Sequence, residues 1–310
     1  MPPENEKTDR DRRVCQWRAQ ADALREFAEF TGRTESAAHI KPLHWYVACR
    51  LVLEGGFHPD DIVPRPPFAV TERQGVNHLS FDPTLGKGGE RTILGGLKTK
   101  NVDVVVAKEG IGPVLAVSCK GATKAFRNLT NRMEETIGEC TNLHITYPAL
   151  VVGYFVVIRA NRLTEEGAAK AISEDRSSSA QLAANDIAIQ KGGEPVEGIV
   201  KFHAALREMC GRRGIRNELS RYEAIALAMI DTAPGQNGVM LSSFPPAGSP
   251  LRLEQFFSTL YLRYDERYVY SAPLLKSVTQ RLQWSRLSPA FNAAQGTVRP
   301  DYEIRIADEP

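Results

Sequence analysis

Three side chains within residues 98–140 have the types and spacing for metal-assisted phosphodiester hydrolysis. The stretch reads KTKNVDVVVAKEGIGPVLAVSCKGATKAFRNLTNRMEETIGEC. Asp103 opens an apolar run, Val104–Ala107, and a second run, Val114–Val117, ends in Ser118-Cys119-Lys120. Glu134 follows on a helix-like segment. A phosphodiester repels nucleophiles through its own charge. A divalent cation neutralises that charge, lowers the pKa of a water and stabilises the leaving oxygen. Mg²⁺ is hard and takes carboxylate oxygens and water. Such chemistry therefore needs one or two fixed carboxylates and a cationic side chain near the attacking water. Asp103 and Glu134 supply the acids. Lys120 can orient or deprotonate the water, or steady the charge that builds on phosphorus.

These groups must be brought together by elements. Side chains alternate along a strand, so Ser118 and Lys120 point one way and Cys119 the other. If the two apolar runs pair as a hairpin through the Lys108–Pro113 turn, Asp103 lies near Lys120. A helix is expected over Lys124–Cys140. It places Arg127, Asn131 and Glu134 on one polar face and leaves Phe126, Met133 and Ile137 for packing. Ala149–Arg159 reads as a buried strand, apolar on both faces. Strand–strand–helix–strand is the order of a mixed α/β core.

Around this centre, residues 1–12 are polar and read as a disordered arm. Helical spacing covers Val14–Phe30 and Leu43–Leu53, the latter stopping at Gly55-Gly56. His58–Pro67 is connection and Phe68–Thr71 a short strand. Glu72–Gly96 is rich in Gly, Asp and Asn and reads as loop. Farther on, helices are expected at Glu165–Ser173, Gly198–Met209, Asn217–Ile230 and Leu253–Tyr264, with a short strand at Val239–Ser242. The organisation is a catalytic core over 13–165 and a largely helical part over 166–310 that completes the fold.

Composition sets limits. The 310 residues are 42% hydrophobic and 25% charged, as in ordinary globular proteins. The net charge of +2 leaves any nucleic-acid surface to be a local patch. Five scattered cysteines without CxxC spacing argue against a disulfide framework or a structural zinc, and suit a reducing cytosol. The charged N-terminus is no signal peptide and no apolar run reaches membrane-spanning length, so a cytoplasmic protein is expected. No HxH or HExxH pair occurs, and Leu85–Gly89 lacks the pattern of a nucleotide-binding loop. His144 sits between Leu143 and Ile145 and reads as a core residue.

Asp103, Ser118-x-Lys120 and Glu134 together resemble the PD-(D/E)xK nuclease superfamily, and within it the type II restriction endonucleases. The usual pattern places an acid one strand before an acid-x-Lys. One subgroup, the CCGG-recognising enzymes, has Ser in place of the second acid and carries that carboxylate on the following helix. The resemblance implies a restriction-endonuclease-like core, a mixed sheet flanked by helices. It makes Asp103 and Glu134 Mg²⁺ ligands, Lys120 the catalytic lysine, and Ser118 the occupant of the vacated acid position. It adds Glu54, an acid on an early helix, as a support of the metal site. Val102 stands where the superfamily often has proline. Of the subgroup's Arg-x-acid-Arg recognition motif, Lys124-Ala125-Phe126-Arg127 keeps only the last Arg.

The activity implied is Mg²⁺-dependent cleavage of double-stranded DNA at a short specific site, by a homodimer that matches a palindromic duplex and serves beside a cognate DNA methyltransferase. Leu253–Tyr264 offers an apolar face for the dimer contact. Candidate DNA contacts are Arg127, Asn128, Asn131 and Arg132 on the helix, and the basic turn Arg212, Arg213 and Arg216. Two other readings stand beside this one. A repair or structure-selective nuclease of the same fold would cut without a fixed sequence. A non-catalytic DNA-binding protein with a degraded site would not cut at all. An Asp at a strand start and a Lys at a strand end are also ordinary edge charges.

Overall fold

The computed structural model describes residues 14–32, 37–124, 126, 129–162, 183–233, 235–292 and 298–308, and the backbone but not the side chains of residues 130 and 131. The expected N-terminal arm, the helix at Glu165–Ser173, and the candidates Arg127 and Asn128 lie outside these. So does the side chain of Asn131.

A five-stranded mixed sheet organises the chain. Its strands are β1 (Ile62–Val63), β6 (Val104–Lys108), β7 (Gly112–Ala122), β8 (Val151–Arg159) and β9 (Ala224–Ile230), in that spatial order. β1, β6 and β7 pair antiparallel, whereas β7, β8 and β9 run parallel. The parallel strands are apolar on both faces because both faces are covered. On one face pack α1 (Gln20–Glu29), α2 (Lys41–Leu53) and α5 (Leu253–Tyr264), against Val104, Val117, Phe155, Val157 and Ala226. On the other pack α3 (Leu129–Thr146) and α4 (Glu197–Glu208), against Val105, Ala116, Val156, Ile225 and Leu227. The odd–even alternation along β8, with Val151, Gly153, Phe155 and Val157 toward one layer and Val152, Tyr154, Val156 and Ile158 toward the other, is the two-residue period of a strand. The result is an α/β fold with a central mixed sheet between helical layers.

Two hairpins stand outside the sheet. β2 (Phe68–Arg73) pairs with β3 (Val76–Phe81), and β4 (Arg91–Leu94) with β5 (Thr99–Val102). The expected loop over Glu72–Gly96 thus contains the end of β2, all of β3 and all of β4. The β2–β3 connection is the two-residue turn Gln74-Gly75, with φ of 52° and 77°. Positive φ at both positions is what a tight hairpin requires, and Gln in the first of them is an uncommon signal.

Among the described residues of the C-terminal part, one expected helix is replaced by a strand. Asn217–Ile230 contains β9, not a helix. Ala, Leu and Met favour helix, but Ala224–Ile230 is buried along its whole length beside β8, and burial in the sheet overrides propensity. Val239–Ser242 reduces to one bridge, Met240 to Ile230. α5 falls where its periodicity predicts, but its apolar residues Leu253, Phe256, Phe257, Leu260, Tyr261 and Tyr264 are buried in this chain's own core. That face is not available to a second copy. No helix among the described residues is long and apolar enough to cross a membrane.

Candidate active site

Asp103 sits at the bend between β5 and β6, with buried Val102 and Val104 on either side. The β6–β7 register pairs Val104 with Val117. Asp103 therefore lies opposite Ser118, with Lys120 two residues farther along the same face. The turn joining these strands uses Gly110 and Gly112 at φ of 72° and 92°, a conformation that suits glycine. The expected convergence occurs: Lys120 Nζ lies 3.5 Å from Asp103 Oδ2. The Cys119 backbone N–H donates to the same oxygen at 2.8 Å, and the Ser118 hydroxyl donates at 3.3 Å. Ser118 thus orients Asp103. Cys119 points into the opposite layer, as alternation requires.

The helix that follows presents a different acid. Glu134 is exposed on α3. Glu139, which was not singled out from the sequence, is buried, with Oε2 at 3.0 Å from Lys100 Nζ and Oε1 without a hydrogen-bond partner. The phase of α3 decides this. Leu129, Thr136, Cys140 and Leu143 form the buried ridge, at helical spacing, and Glu139 flanks it. Ile137, expected to pack, is 43% exposed. Anchoring the helical wheel on Cys140 and Leu143 rather than on Met133 and Ile137 would have found Glu139.

Electrostatics tie Glu139 to the hairpin. Burial pulls the Lys120 ammonium down, but Asp103 and then Glu139 outweigh it and hold it well above the ordinary lysine range. Both acids thus favour the charged form of Lys120. Tyr154, paired across from Ser118 on β8, joins the cluster: burial pushes its hydroxyl up to about 12, and Thr136 Oγ1 stands 3.1 Å away.

From the opposite layer, α2 contributes His44, whose Nε2 is 3.8 Å from Asp103 Oδ1. Burial lowers this imidazole to about 4, against the opposing pull of Asp103. Its Nε2 is buried and has no hydrogen-bond partner. A cleft of about 300 Å³ opens beside it, lined by Lys41, His44, Trp45, Gly88, Gly89 and Asn101 among others.

β5 is the strut between the two acids. It ends at Val102, just before Asp103, carries Lys100 to Glu139, and its turn is strapped to α3. Asn142 Oδ1 accepts from the Leu97 and Lys98 N–H groups at 2.8 and 3.1 Å, and its Nδ2 donates to the Lys98 carbonyl at 2.8 Å.

Other candidates lie elsewhere. Glu54 is bound by Arg50 Nε at 2.6 Å and by the Tyr261 hydroxyl at 3.1 Å, so it serves a packing cluster on α2 and α5, not Asp103. Arg212 is fully buried. It donates to Glu223 Oε1 at 2.8 Å and to the carbonyls of Pro148 and Ile215, which leaves no guanidinium for DNA. Arg213 and Arg216 are exposed. Arg132 is half-buried and near enough to Tyr154 to act on its hydroxyl. His144 is buried as expected, against the carbonyls of Leu219 and Leu150.

The donor chemistry fits a divalent cation in part. Asp103 and Glu139 offer carboxylate oxygens, and Glu139 Oε1 is an orphaned buried acceptor that a cation would satisfy. Among the described residues no three His, Cys, Asp or Glu side chains converge as a preformed metal cage. A hydrated ion held by one or two carboxylates needs no such cage. No family model, curated protein or solved structure matches this chain.

Proposed function

We propose that this protein is a divalent-cation-dependent nuclease with a PD-(D/E)xK-like core, a type II restriction endonuclease that cuts double-stranded DNA at a specific site. One observation carries the reading. An acid and a lysine from an antiparallel hairpin meet at 3.5 Å, and a buried acid on the next helix acts on that same lysine. An edge charge left to solvent would not be buried beside a cation and a second acid.

In this reading Asp103 and Glu139 hold the cation, Mg²⁺ in the first instance, with Glu139 in the role the sequence pattern gives to Glu134. The cation supplies Lewis acidity toward the phosphodiester and lowers the pKa of water. Ser118 and the Cys119 N–H fix Asp103 by accepting no charge themselves and donating to Oδ2. Lys120, held protonated, neutralises the negative charge that builds on the non-bridging oxygens as water attacks and the alkoxide leaves. Arg132, Arg213 and Arg216 are the accessible candidates for phosphate or base contact. A homodimer and a cognate methyltransferase follow from the same reading.

The test is incubation of the purified chain with long unmethylated duplex DNA, with and without Mg²⁺. Discrete Mg²⁺-dependent fragments are expected. A smear would replace site-specific cleavage with a repair or nonspecific nuclease, and intact DNA under all conditions would overturn the nuclease reading.

A further inference from the structure

The β4–β5 hairpin forms a two-stranded ribbon of its own beside the central sheet. Its register pairs Thr92 with Asn101, Ile93 with Lys100 and Leu94 with Thr99. Alternation turns Ile93, Lys100 and Val102 inward, where Ile93 and Val102 are buried in the layer of α3 and Lys100 meets Glu139. Thr92, Leu94, Thr99 and Asn101 share the outward face, and all four are exposed. We infer that this ribbon lies in the major groove of the DNA, where its outward side chains read base edges and Lys98 takes a phosphate. The inference rests on the nuclease reading above and names where its specificity resides.

The ribbon is held rigid. Asn142 straps its turn to α3 through the backbone of Leu97 and Lys98, and the Gly96 N–H donates to the Asn142 carbonyl at 2.9 Å. The turn sits so close to α3 that a Cβ at Gly95 would stand 2.1 Å from Asn142 Nδ2, and one at Gly96 2.1 Å from Ile145 Cγ2. This clamped tip nevertheless presents Leu94 at 64% and Leu97 at 77% exposure. Farther down the outward face the Thr92 hydroxyl donates to Asn101 Oδ1 at 2.7 Å and so orients the amide. Groups fixed in advance lose little freedom on binding.

Charge and position choose the occupant. Residues 87–101 carry Lys87, Arg91, Lys98 and Lys100 against the single acid Glu90, a balance that suits a polyanion. A second copy meeting this face across a two-fold axis would set the same cations against one another. The major groove admits a two-stranded ribbon, and there Asn and Thr hydrogen-bond base edges while an apolar side chain meets a thymine methyl. The outward face ends at Asn101, which lines the cleft with Lys41 and His44 beside Asp103. At about 3.3 Å per strand residue, Asn101 lies about 7 Å and Thr99 about 13 Å from Asp103 along the chain. These are about two and four steps of about 3.4 Å along a DNA strand, the scale of a short site.

The experiment uses the full chain and two fluorescein-labelled duplex oligonucleotides, one carrying the site mapped from wild-type fragments and one without it. Anisotropy without Mg²⁺ reads binding, and fragment mapping with Mg²⁺ reads specificity. Asn101→Ala should weaken binding to the site about tenfold, leave the other duplex within about twofold, and cut additional sites that differ at one base pair. Lys98→Gln should weaken both duplexes alike and lower the slope of log affinity against log salt by about 1. Both side chains are exposed, so neither substitution removes core packing. Wild-type affinity, salt slope and fragments in both variants would overturn the role of the hairpin and leave the nuclease reading standing. So would a Leu94→Ser, Leu97→Ser double variant that splits a dimer in sedimentation without weakening DNA binding, since the face would then belong to a second copy. A wild-type smear would overturn base reading here and leave a nonspecific nuclease. A wild type that neither binds nor cuts either duplex would overturn both readings.

Discussion

Substituting Glu139 and Glu134 of α3 in turn separates the proposed metal ligand from a surface charge. Glu139→Gln removes a buried carboxylate whose partner, Lys100, lies at 3.0 Å. At an effective dielectric of about 20, that distance corresponds to about 5 kcal/mol of Coulomb attraction. Little of it is net stability. The Lys100 side chain is 31% exposed and turns to water when its partner is gone, and the carboxylate no longer has to be desolvated. The expected loss in denaturant unfolding is about 1 kcal/mol. Cleavage should respond very differently. Losing one of two carboxylates that hold the cation is worth about 3–4 kcal/mol of transition-state stabilisation, or about 10²–10³-fold in rate. Glu134 is exposed, so Glu134→Gln should stay within about 0.5 kcal/mol in stability and leave the cleavage rate nearly unchanged. Urea unfolding followed by circular dichroism, with timed cleavage of one plasmid, measures both quantities on the same preparations. If Glu134→Gln stops cleavage and Glu139→Gln does not, the helix phase reasoned from Cys140 and Leu143 is refuted.

Three further outcomes follow from the same contacts. Asp103→Asn and Lys120→Ala should each abolish cleavage while gel-shift binding of the duplex survives, and retained cutting by either purified variant would sink the assigned roles. Glu223 is the centre of a buried network with Arg212, Arg267 and His144. Burial would raise its carboxyl, but His144 and Arg267 outweigh this and hold it down at about 2. Its folded pKa lies below the ordinary value of 4.5, so this contribution is complete above that value. About 3 kcal/mol of it should be lost as pH falls from about 4.5 toward 2. Glu223→Gln, which leaves two buried guanidinium groups poorly compensated, should cost about 3–5 kcal/mol in unfolding at neutral pH and flatten that acid limb. Gly95→Ala would place a Cβ 2.1 Å from Asn142 Nδ2. It should detach the β4–β5 turn from α3 at a cost of about 1–3 kcal/mol, and weaken Mg²⁺ binding, read by calorimetry, without altering either proposed carboxylate.

The Asp103–Lys120 pair was legible in the sequence because it depends on local rules. Alternation along a strand, and a Gly-rich turn between two apolar runs, are enough to bring a strand-start acid to a strand-end lysine. The burial of β8 followed equally from its unbroken apolar run, whereas the period of α5 gave the helix but not that its apolar face packs inside this chain. Other features were not local. Glu134 and Glu139 lie on one helix, and only its rotation against Ala116, Tyr154 and Val156 chooses between them. Helix phase is a packing quantity, set by which side chains fill the layer. Arg212 reads as a basic turn until Glu223 buries it, and Ala224–Ile230 reads as helix until β8 offers a parallel ladder. His44 is one of several histidines in the sequence. Its position against Asp103 arises where two layers meet at the sheet's edge, and sequence distance says nothing about that meeting. The chain by itself thus determined which residues share a face. The tertiary structure decided which faces meet, because burial and ion pairing act between elements far apart in sequence.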